Sequence, residues 1–129
     1  MINKTSIIKT LESYFYTILN TDHYIGSSII YIFSITFPLF PHKKVVRYLS
    51  KILNRVFENI KFFHRYHVYI LLQSIHKYYL INKEYGTFPE LTFENIKVYC
   101  TLIKDYLLRT SILPNEEIFL FLQEILSKD

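Results

Sequence analysis

The chain has 129 residues, half of them hydrophobic and 18% aromatic, with two glycines, four prolines and one cysteine. That apolar share excludes a disordered segment, two isolated glycines exclude glycine-rich phosphate loops and turn-dense all-β folds, and a lone cysteine excludes an intrachain disulfide or a multi-cysteine zinc site. The formal charge of +4 hides a split, with eleven bases against three acids up to Lys83 and four bases against eight acids from Glu84 onward.

Residues 4–19 predict an amphipathic helix. Ile7, Ile8, Leu11, Tyr14, Phe15, Ile18 and Leu19 recur at three-and-four spacing, with Lys9, Thr10, Ser13 and Thr17 opposite. The run 24–41 carries no charge, which is just long enough for a bilayer span, and His42, Lys43, Lys44 and Arg47 flank it. Ser27, Ser28, Ser34 and Thr36, together with the closing Pro38 and Pro41, favour a buried core helix over about residues 24–37 instead.

Residues 42–61 show the cleanest separation of faces. Val45, Val46, Leu49, Ile52, Leu53, Val56, Phe57 and Ile60 fall on one side of a helical wheel, and Lys43, Lys44, Arg47, Lys51, Arg55 and Lys61 on the other. Residues 64–82 are apolar almost all round, leaving a narrow polar strip through Tyr66, Gln73 and Lys77, so this helix belongs at the centre of a bundle. Gly86 and Pro89 punctuate the next connection. Thr92 then caps a helix whose buried face is Ile96, Tyr99, Cys100, Ile103, Tyr106 and Leu107. Asn115 followed by Glu116 and Glu117 starts the last helix, which buries Ile118, Phe121, Leu122, Ile125 and Leu126.

The expected fold is therefore all-α: a single domain over residues 1–129, a bundle of five or six helices around the central apolar helix 64–82. In outline, two apolar helices wrapped by amphipathic ones resemble viral Bcl-2-like bundles, a likeness of architecture alone, with no groove-binding motif to carry over. The stretch from Val98 to Phe121 resembles the junction between pentatricopeptide hairpins, but no second copy follows at the period of about 35 that such arrays require.

No Gly-x-Ser-x-Gly elbow and no His-Glu-x-x-His motif occurs, so no enzymatic activity, cofactor or small-molecule substrate is expected. His64 and His67 stand three apart, as metal ligands can, yet they read more simply as core-edge histidines, the third ligand having to come from His42, His76 or an acid. Cys100 falls on a buried face and reads as an inert small hydrophobe. The pairs Glu116 with Glu117 and Glu90 with Glu94 sit at helix starts, where acids complement exposed amides.

Two surfaces carry functional weight. The basic ridge Lys43, Lys44, Arg47, Lys51, Arg55 and Lys61 suits a nucleic-acid backbone, with Tyr48 and Phe62 bordering it, or an anionic membrane surface, or simply answers the acidic C-terminal third, within the molecule or across a homo-oligomer. Leu102, Leu108, Phe119 and Leu120 lie off or at the margin of their helices' main apolar faces and suit contact with another chain. The leading expectation is a non-enzymatic interaction protein or small subunit of a larger assembly, bound to a protein partner or to copies of itself. Nucleic-acid binding through the ridge is the alternative. With no secretory leader in the first apolar residues, the expected location is intracellular.

Overall fold

In the computed structural model, which describes residues 4–20, 28–85 and 91–127 apart from the side chains of His42, Asn82, Glu84 and Tyr85, the periodic segments fold as six α-helices. These are α1 (Lys4–Leu19), α2 (Ser28–Thr36), α3 (His42–Glu58), α4 (Arg65–Tyr85), α5 (Phe93–Arg109) and α6 (Glu116–Ser127). One-turn 3-10 helices follow α2 (Phe37–Leu39) and α3 (Ile60–Phe62). The architecture is the expected all-α bundle, and one continuous cluster of buried side chains draws on all six helices.

Helix α4 supplies the middle of that cluster. Val68, Leu71, Leu72 and Ile75 are wholly buried, and α2, α5 and α6 all pack on this helix. Tyr66 and Lys77 face out, as the polar strip predicts, while Leu80 is more exposed than an all-round apolar helix implies. Helix α3 buries Val45, Val46, Leu49, Ile52, Leu53 and Val56. Each such side chain is worth about 1.5–3 kcal/mol, against about 0–1 kcal/mol for a surface ion pair, so the apolar stripe and not the charges orients α3.

Three boundaries differ from the sequence reading. Helix α3 ends at Glu58, three residues before Lys61, because Asn59 leaves helical geometry (φ −149°, ψ 54°) and its N–H turns back to the Val56 carbonyl. Helix α4 continues past Asn82 to Tyr85. Of the expected core helix over 24–37, residues 24–27 lie outside the described residues, and α2 stops at Thr36, where Pro38 admits only a 3-10 turn. Helix α2 is also less enclosed than expected. Ile29, Ile30 and Phe33 are buried, but Tyr31 and Ile35 are 50% and 60% exposed, because nine residues leaning on α4 cover one face only. Two of its hydroxyls bond within the helix, Ser34 donating to the Tyr31 carbonyl at 2.7 Å and Thr36 to that of Ile32 at 2.6 Å. No helix among the described residues is long and apolar enough to cross a membrane.

Aromatic rings join α1 to the rest. Phe15, wholly buried, stacks on Tyr48 of α3 at 4.9 Å and meets Phe33 and Phe40 edge-on at 6.2 and 5.9 Å. These four rings, with Phe37, Phe63, Tyr78, Tyr79 and Phe121, are buried in the core, while Tyr16, Tyr31, Phe62, Tyr66 and Phe119 are exposed.

His76 is the one buried histidine among the described residues. Its ring packs on Phe121 at 4.6 Å, with Nδ1 3.8 Å from Glu117 Oε1. Burial lowers its pKa below the ordinary 6.5, opposed by Glu117 and Glu124. The unfolded chain then takes up a proton near pH 6.5 that the folded ring binds only at lower pH, so stability is full above that value and declines as pH falls below it. Melting temperatures measured from about pH 7.5 to 5 should show this decline, and His76→Gln should flatten it. An unchanged slope in the variant would contradict the assignment.

Candidate functional site

Two of the grooves between helices gather several of the expected site residues. The first lies between α1 and α3, above the Phe15–Tyr48 stack, and measures about 510 Å³. Helix α1 contributes Glu12, Ser13, Tyr16 and Thr17, and α3 contributes Lys44, Arg47 and Lys51. The spacing explains both walls, since residues three and four apart share a helix face. Lys44 Nζ pairs with Glu12 Oε2 at 2.6 Å, and Lys51 Nζ donates to Asn20 Oδ1 at 2.7 Å. Arg47, between them, is exposed and makes no hydrogen bond or ion pair among the described residues.

The remaining ridge residues are dispersed. Lys43 is exposed and does not line the groove, and Arg55 is half-buried further along α3. Lys61 sits beyond the helix in the 3-10 turn, its ammonium 5.5 Å from the Phe62 ring centroid. Tyr48 does not border the ridge as a stacking platform. It is 8% exposed with its ring committed to Phe15, and burial pushes its phenol pKa up against the opposing pull of Lys44. Phe62, in contrast, is 59% exposed. Glu124 pairs with Lys83 of α4 at 2.7 Å and accepts from the Tyr79 hydroxyl at 3.2 Å, whereas the ridge's Lys44 pairs with Glu12.

The second groove, about 550 Å³, runs between α5 and α6 and is mostly apolar. Leu107, Ile112 and Leu122 form its floor, and Leu108, Leu113 and Phe119 are its exposed walls. Of the four apolar candidates, the fold brings Leu108 and Phe119 together here. Leu102 and Leu120 are exposed but lie on other sides of their helices and do not line it. Sequence periodicity misses Leu113, 81% exposed, because it sits in a connection; an apolar residue directly before Pro114 was the available signal. In the first groove it likewise misses Tyr16, which falls off the apolar face of α1.

Backbone geometry fixes the turn between α5 and α6 beside the second groove. Helix α5 ends with Ser111 in the left-handed region (φ 63°), its N–H donating to the Leu108 carbonyl at 3.2 Å, and the Ile112 N–H reaches the Leu107 carbonyl at 2.9 Å. This pair of bonds is a Schellman ending, and buried Ile112 against Leu107 completes it. Asn115 Oδ1 then accepts from the Ile118 N–H at 2.9 Å to cap α6, and the Asn115 N–H donates to the Tyr69 hydroxyl at 2.9 Å. Helix α5 starts on a capping box between Thr92 and Asn95.

Groups with chemical potential are placed elsewhere. The Cys100 thiol is buried on α5 and burial pushes it up to about 12, which removes its nucleophilicity at neutral pH. The His64 and His67 rings are 5.7 Å apart. His64 Nδ1 accepts from the Tyr66 N–H at 3.2 Å, and His67 Nδ1 has no hydrogen-bond partner among the described residues. No group of three or more His, Cys, Asp or Glu among the described residues comes together to hold a metal ion. Glu94, Glu116 and Glu117 are exposed in the first turns of α5 and α6, and Glu90 lies outside the described residues.

A serine at φ 63° carries a steric cost that glycine avoids. Ser111→Gly should therefore raise stability by about 0.5–1 kcal/mol in urea unfolding, and a loss of similar size would contradict the left-handed ending. In comparisons with protein-family models, curated proteins and solved structures, the chain matches none.

Proposed function

We propose that this chain is a non-enzymatic interaction protein that seats an apolar helix of a partner protein in the α5–α6 groove. The observation that carries this reading is the convergence of Leu108, Leu113 and Phe119, between 51% and 81% exposed, around a floor of buried leucine and isoleucine. Apolar side chains gathered in one concavity and left to water are a recognition surface rather than scattered surface hydrophobes. A helix presenting residues at three-and-four spacing fits a groove between two helices, as amphipathic segments do elsewhere. Lys104 on one rim and Gln123 on the other favour an occupant with an acidic or polar flank.

A photo-crosslinking amino acid at Leu113, followed by mass spectrometry of the linked peptide from the native source, tests this. The expected product is a peptide of another protein with apolar residues at helical spacing. It should disappear in a Leu108→Glu/Phe119→Glu variant whose circular dichroism is unchanged. Crosslinks that survive those charges, or none at Leu113, would contradict the assignment; a crosslink to a second copy of this chain would replace the foreign partner with self-association.

A further inference from the structure

We infer that the α1–α3 groove binds a phosphate of single-stranded nucleic acid, held by Arg47 and the Ser13 and Thr17 hydroxyls, with Tyr16 stacking on an adjacent base. This rests on different residues from the apolar groove and does not depend on it.

Charge comes first. Lys44, Arg47 and Lys51 line the groove against a single acid, Glu12. Glu12 and Asn20 engage the two lysines, which pins them at the groove's ends and leaves the guanidinium between them with its donors unused among the described residues. Arginine has no acceptor and a fixed fork of N–H groups, a geometry matched by phosphate oxygens.

The facing wall has the complementary chemistry. Ser13 and Thr17 are four apart on α1, exposed, and neither hydroxyl has a hydrogen-bond partner among the described residues. Hydroxyls and arginine together are common phosphate contacts. Tyr16 lines the same groove, is 71% exposed and stacks on no other ring among the described residues. An aromatic face beside a phosphate grip is what distinguishes a site for a nucleic-acid strand from a bare anion site. Lys61 and the exposed Phe62 lie further along, past the end of α3.

The walls also choose between strand and duplex. Packed helices lie about 8–10 Å apart, and a duplex major groove about 12 Å wide admits one helix. With α1 alongside, α3 does not enter it. A strand lying in the groove meets no such obstacle.

Fluorescence anisotropy with a labelled oligothymidylate of about fifteen nucleotides, in roughly 50 mM salt, tests this on the full chain. Arg47→Ala should weaken binding by about tenfold or more and Tyr16→Ala by about tenfold. Lys43→Ala removes the same charge outside the groove and should cost less than about threefold. With three cations near the strand, the logarithm of affinity should fall with a slope of about −2 against the logarithm of salt. Because all three side chains are exposed, circular dichroism and melting temperature should match the parent protein. Four results would overturn the inference: no binding at this salt; equal losses from Arg47→Ala and Lys43→Ala with none from Tyr16→Ala; displacement of the probe by inorganic phosphate or thymidine monophosphate as effective as by the unlabelled strand; or Arg47-dependent binding to phosphatidylserine vesicles in place of the oligonucleotide.

Discussion

A helix whose apolar side chains occupy most of its circumference must be covered from several directions, and α4 imposes that condition on the whole molecule. Burying Val68, Leu71, Leu72 and Ile75 at once requires partners on more than one side, which α2, α5 and α6 supply. Hydrogen bonds from the flanks then fix how those partners sit. The Arg65 guanidinium donates to the Thr110 carbonyl at 3.0 Å, the Tyr106 hydroxyl to the Phe63 carbonyl at 2.9 Å, and the Tyr78 hydroxyl to the Leu91 carbonyl at 3.3 Å. These bonds register α5 against α4, so the α5–α6 groove is a consequence of how the centre is packed.

Helices α1 and α3 form the other edge. Phe15 carries the contact, tied by its ring contacts to Tyr48 of α3, Phe33 of α2 and Phe40 of the connection. Phe15 and Tyr48 meet below, so the charged groove stands on an aromatic floor, bridged above by Lys44 with Glu12 and Lys51 with Asn20. Neither candidate surface is lined by a residue of α4. One is apolar with few charges, and the other is cationic with hydroxyls and an exposed tyrosine.

The helices were legible because their apolar residues repeat cleanly. Lys4–Leu19 coincides with the segment periodicity predicts, and Thr92 and Asn115 mark the starts of α5 and α6 by side-chain capping that the residue types announce. The end of α3 was not legible. Ile60 continues the apolar period, yet Asn59 takes a non-helical conformation, and no local pattern reveals that choice. Nor was the composition of the sites. Periodicity assigns a residue to a face but not to a neighbour, so Leu102 and Leu108 looked alike although they lie on different sides of α5. Tyr48 looked like an accessible aromatic beside lysines until Phe15, thirty-three positions away, took its ring. Long-range pairing of this kind is a tertiary property.

The most direct test of a dry interior organised around α4 is native-state amide hydrogen exchange resolved by residue. The amides of Leu71, Leu72 and Ile75 should exchange only through global unfolding, while those of Lys9 and Thr10 on the outer side of α1 should exchange far faster through local opening. Amides of α4 that exchange as readily as those of α1 would contradict it.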